Sequence, residues 1–106
     1  MANKERPIQD WCRQELAKIY GDKLVYVKYP ASQYSQRGVA DLIFCIHGLY
    51  IAIEVKTDVG MPTALQLKFG ENISKAGGFF GILYGRDVHM IERIVRYVDE
   101  HKLTDR

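Results

Sequence analysis

The sequence predicts one α/β domain spanning residues 1–106, with elements in the order α-β-β-β-α-β-α. Three observations carry this reading. Apolar residues switch between helical and strand spacing along the chain, with no repeat or linker between segments. Two strand candidates flanking His47-Gly48 are apolar on both faces, which calls for helices on both sides of the sheet. The length, 106 residues, suits one core and is too short for two comfortable ones.

Each element has a local reason. Ile8, Trp11, Cys12, Leu16 and Ile19 recur at helical spacing, Pro7 suits a first turn, and Gly21 ends the helix after Tyr20. Leu24 to Tyr29 is rich in β-branched and aromatic residues and reads as a strand, followed by the polar connection Pro30 to Gly38. Val39 to Ile46 and Leu49 to Lys56 form a hairpin about the Gly-containing pair His47-Gly48. A second helix, Thr63 to Ala76, rests on Leu65, Phe69, Ile73 and Ala76, although Gly70 weakens its propensity. After Gly77-Gly78, Phe79 to Tyr84 reads as a buried strand. Asp87 caps a last helix with Val88, Ile91, Val95 and Val98 on its apolar face.

Composition excludes several classes. Apolar residues make up 47% and charged residues 26%, ordinary globular proportions. Fifteen Lys and Arg against thirteen Asp and Glu leave +2, so no global field announces a polyanion partner. Cys12 and Cys45 form no CxxC or Cys-His cluster and read as small buried apolar residues. No apolar stretch approaches membrane-spanning length, and no hydrophobic signal segment opens the chain. The expectation is a soluble, reduced, cytoplasmic protein.

Two carboxylates stand out. With His47 and Gly48 as the loop, Ile46 pairs with Leu49, and the same register sets Asp41 directly opposite Glu54. Like charges so placed repel, and Lys56 shares the face of Glu54. A hard cation such as Mg²⁺, bound by one or two carboxylates plus a substrate phosphate, offsets that repulsion. Lys56 then positions a water or stabilises phosphate charge, which is phosphodiester-hydrolysis chemistry. A solvated acid pair with a Lys counter-ion is the plain alternative.

Gly38-Val-Ala-Asp41, then Glu54-Val-Lys56, then Gln66 in the next helix resembles the PD-(D/E)XK nuclease superfamily, and within it the virus-type replication-repair nuclease (VRR-NUC) family. The N-terminal part is similar to archaeal-type Holliday-junction resolvases, with Glu5-Arg-Pro-Ile and Pro30-Ala-Ser32 in the corresponding places. The resemblance implies a restriction-endonuclease-like αβββαβ core, with a mixed sheet flanked by helices on both faces and an added C-terminal helix. It further implies that Asp41, Glu54, the backbone carbonyl of Val55 and Glu5 hold Mg²⁺ or Mn²⁺. Lys56 would position the attacking water and Gln66 would support the site. The implied activity is endonucleolytic cleavage of branched DNA such as four-way junctions by a homodimer. A non-catalytic binding module, or a nuclease for flaps or ends, is the competing reading. Ala40 departs from the superfamily's usual Pro.

Other candidates have bland counterparts. Glu15 competes with Glu5 as the helix acid, although Glu5 heads the stripe through Ile8, Cys12 and Leu16. Thr63 to Gln66 fits a capping box, compatible with an active-site role for Gln66. Ser32, Arg37 and Lys28 are candidate DNA contacts in or beside the polar connection.

Overall fold

Helix α1 (Arg6–Tyr20) enters with Pro7 in its first turn and leaves at Gly21, whose positive φ of 52° suits a residue without a side chain. A short 3₁₀ turn leads into strand β1 (Leu24–Val27). Then come β2 (Leu42–Ile46), β3 (Leu49–Lys56), α2 (Ala64–Lys75), β4 (Phe79–Tyr84) and α3 (Val88–His101). This computed structural model describes residues 4–28, 38–57 and 59–103.

The four strands lie in the order β1-β2-β3-β4. The first three form an antiparallel meander, and β4 runs parallel to β3 after the α2 crossover, so the sheet is mixed. His47 and Gly48 both have positive φ, 50° and 81°, the backbone of a two-residue turn whose twist matches its flanking strands. That turn fixes Ile46 against Leu49 and carries the register to Leu42 against Ile53, as the sequence predicts.

One face of the sheet packs Leu42, Phe44, Ile46, Ile51, Ile53, Val55 and Leu83 against Cys12 and Leu16 of α1 and Met90, Ile94 and Val98 of α3. The other packs Ile43, Ala52 and Phe80 against Phe69 of α2, with Val39 and Ala40 alongside. Both faces of the central strands therefore carry helix cover, the second face only as far as the row through Ile43 and Ala52.

Three expectations need correction. The inner face of α2 carries Gln66, Phe69, Gly70 and Ile73, while Leu65 and Ala76 are exposed. The helix is set that way because a Cβ at Gly70 would lie 2.3 Å from the Phe80 ring, so glycine permits the close approach. Cys45 is exposed, because the helix covers the row through Ile43 and Ala52 but not the row through Cys45 and Tyr50. On α3, Met90 and Ile94 are buried and Val88 is exposed, since Asp87 begins the helix one residue before Val88 and turns that position outward.

Candidate active site

Strand β2 begins one residue later than Asp41, and the reason lies in the Asp41 side chain. A continued ladder would pair Val55 with Ala40; instead the Val55 N–H donates to Asp41 Oδ2 at 2.9 Å. The carboxylate replaces a backbone acceptor and is thereby fixed at the end of the sheet. Opposite it on the same register stands Glu54, in a position where antiparallel side chains approach most closely. An extended residue directs its N–H and C=O to the same neighbouring strand, so the Val55 carbonyl is turned toward the side on which Asp41 lies.

Glu54 is 2% exposed, the one charged residue in the described core. Its two oxygens differ sharply. Oε2 accepts a hydrogen bond from Gln66 Nε2 at 2.8 Å and lies 3.5 Å from Lys56 Nζ. Oε1 is buried and no donor among the described residues reaches it, while the Asp41 side chain lies close enough to share a proton with the Glu54 carboxyl. Burial, and next the Asp41 charge, push the Glu54 carboxyl up to about 7; Lys56 opposes them without prevailing.

Gln66 serves two elements at once. Its Oε1 accepts from the Thr63 N–H at 2.8 Å while its own N–H donates to Thr63 Oγ1 at 3.1 Å, a complete capping box at the start of α2. The remaining amide nitrogen reaches Glu54. Helix start and carboxylate are thus tied through one side chain, and both readings of Gln66 hold. Gly38 brings the Asp41 segment against the same helix turn. Its φ is 82°, and a Cβ there would lie 2.7 Å from the Leu65 carbonyl oxygen.

Asp41, Glu54, Lys56 and Gln66 therefore meet at one end of the sheet. The orphaned Glu54 Oε1 facing the Asp41 carboxylate makes a donor set suited to a hard divalent cation, with the Val55 carbonyl on the same side. Among the described residues, no three Asp, Glu, His or Cys side chains gather as a metal group, so neither Glu5 nor Glu15 joins the pair in this structure. Glu5 occupies the N-cap position of α1, and Glu15 pairs with Lys18 at 2.9 Å on that helix. Lys28 is exposed just past β1, at the same sheet end as Asp41. Ser32 and Arg37 lie outside the described residues. A cavity of about 320 Å³ lined by Arg13, Tyr26 and Phe44 is on the opposite face and takes no part in this cluster.

Sequence reasoning passed over Gly60. A Cβ there would lie 3.4 Å from Lys56 Cβ and Cδ, so the turn after β3 folds back onto the Lys56 stem. The signal available was Asp58 followed by Gly60 between Lys56 and Pro62, a turn pattern directly after the lysine.

No protein-family model matches the sequence, and no curated protein matches it. A solved structure described as a VRR_NUC domain is similar to this chain, with a TM-score of 0.65 and 22% identity. The likeness covers 96% of this chain and 100% of that one. Element order, mixed sheet and two-sided helix cover agree with this likeness, and the chain has the fold of a VRR_NUC domain.

Proposed function

We propose that the chain is a metal-dependent, structure-specific DNA endonuclease that hydrolyses phosphodiester bonds in branched DNA, with four-way junctions as substrate and a homodimer as the working unit. The observation that carries this reading is the buried Glu54 carboxylate, one oxygen of which is reached by no donor among the described residues and has the Asp41 carboxylate beside it. A structural acid in a core would have both oxygens satisfied. The shared fold with a VRR_NUC domain supports the nuclease class.

Asp41, Glu54 and the Val55 carbonyl would hold Mg²⁺ or Mn²⁺. When bound, such a cation supplies Lewis acidity toward a phosphate oxygen and lowers the pKa of a water. The protein's own groups do the rest. The Val55 N–H fixes Asp41, and Gln66 fixes Glu54 through Oε2 so that Oε1 stays available. Lys56, its side chain 14% exposed, keeps its ammonium beside the carboxylates. There it orients the attacking water and offsets charge building on the phosphate. The candidate contacts Ser32, Arg37 and Lys28 would act on the DNA side of the site. Symmetric cutting of a four-way junction requires two such sites related by a two-fold axis.

The test is cleavage of a labelled four-way junction, a flap and a linear duplex with Mg²⁺, Mn²⁺ or EDTA, beside Glu54→Ala. Paired, metal-dependent nicks in the junction, lost in the variant, are expected, together with a dimer by light scattering. Full activity in Glu54→Ala would overturn the mechanism. Tight junction binding with no cut under either metal would make the protein a binding module.

A further inference from the structure

Lys56 is followed by a stretch that exposes aliphatic side chains beside the lysine. From Thr57 to Leu67 there is no Lys or Arg. The turn at its start is held by the Gly60 N–H donating to the Thr57 carbonyl at 3.0 Å. Gly60 itself rests on the Lys56 stem, so the residues on either side of it flank the lysine. Those residues are Val59, 91% exposed, and Met61, 80% exposed. Leu65, 53% exposed, adds a third aliphatic from the first turn of α2, next to Gln66 and against Gly38. Among the described residues, three exposed aliphatic side chains therefore stand on the rim beside Lys56 and Gln66.

Phosphate contacts on this rim fall to the first N–H groups of α2 and to threonine hydroxyls, and Val59, Met61 and Leu65 can make none. Aliphatic side chains engage nucleic acid in a different way, by entering between bases that have come apart. The geometry points to the Val59–Met61 turn as an apolar wedge that occupies an unstacked base step next to the scissile phosphate. The inference rests on the nuclease reading and narrows its substrate to DNA that unstacks at low cost at the cut site. A branch point or a mismatch meets that condition and a continuous duplex does not. Gly60 sits on the Lys56 stem, and its two neighbours project outward on either side of it.

The experiment compares the full chain with Val59→Ser/Met61→Ser on a fully paired four-way junction and on the same junction carrying two unpaired nucleotides at the cut position. Because both side chains are solvated, the melting temperature of the double variant should match that of the parent. Cleavage of the paired junction is expected to fall by about tenfold or more, with the pre-opened junction restored to within about threefold of the parent. In a Glu54→Gln background, 2-aminopurine at the branch point should brighten on binding, and the added double substitution should abolish that rise. Equal cleavage of the paired junction, or an unchanged 2-aminopurine signal, overturns the wedge while leaving the nuclease standing. The same loss on both junctions also overturns it and assigns the turn to a protein partner or to general binding. If the parent chain cuts no substrate with Mg²⁺ or Mn²⁺, the nuclease reading falls, and the wedge with it.

Discussion

Glu54 is the residue at which stability and proposed chemistry conflict. Its carboxyl is pushed from an ordinary 4.5 to about 7 by burial and by Asp41, so the folded chain holds the proton more tightly than the unfolded one. Folding through this group therefore becomes less favourable as pH rises from about 4.5 to about 7, and the full penalty remains above that. Glu54→Gln keeps the shape and an acceptor for Gln66 but removes the charge. In EDTA at pH 8 it should be more stable than the parent by roughly 1–3 kcal/mol, with no gain at pH 4, and it should not cleave DNA. Thermal melts at the two pH values check this, and an equal or lower melting temperature at pH 8 would show that the carboxylate is not strained. The facing of Asp41 and Glu54 was legible in the sequence because a two-residue turn propagates a register without help from the rest of the fold. The place of Glu5 was not legible, since it depends on how α1 docks, which no local pattern encodes.

Helix α2 shows at the scale of one element what hydrophobic spacing records and what it misses. Thr63 and Gln66 announced its start, and Leu65, Phe69 and Ile73 suggested its inner face. The actual face holds Gln66 and Gly70, which carry little hydrophobic weight, and leaves Leu65 outside. Gln66 is inward because it binds Glu54; Gly70 is inward because only a residue without a side chain fits against Phe80. Gly70→Ala should therefore destabilise the protein even though alanine is better in a helix by about 1 kcal/mol. Overpacking against Phe80 is expected to cost about 1–3 kcal/mol net and to shift α2 enough to weaken the Gln66–Glu54 bond, lowering cleavage as well. Phe80→Leu in the same chain should recover part of both losses, a coupling that a double-mutant cycle measures. A Gly70→Ala chain as stable as the parent would mean that the helix–sheet distance is not set by this contact. The spans of β3 and β4 were read to the residue, whereas Cys45 was misjudged because the reach of a covering helix is a tertiary property.

Over the whole molecule, the site is made by convergence: the start of β2, the end of β3 and the first turn of α2 meet where the antiparallel ladder stops. No one segment carries the donor set, so the unfolded chain offers no preformed cation site, and any ion bound at Asp41 and Glu54 must stabilise the fold by mass action. At ten times its dissociation constant, a divalent cation would add about 1.4 kcal/mol, which for a domain of this size raises the melting temperature by roughly 5–10 °C. The increase should be larger at pH 8 than at pH 6, because below about 7 the cation competes with a proton on Glu54. It should vanish in Asp41→Asn and in Glu54→Gln, while Gln66→Ala should weaken it by releasing the carboxylate from its fixed orientation. Melting curves with Mg²⁺, Mn²⁺ and EDTA at both pH values test binding at this pair without reliance on any DNA substrate. A metal-induced rise that persists in both carboxylate variants would place the cation elsewhere and detach the nuclease mechanism from Asp41 and Glu54.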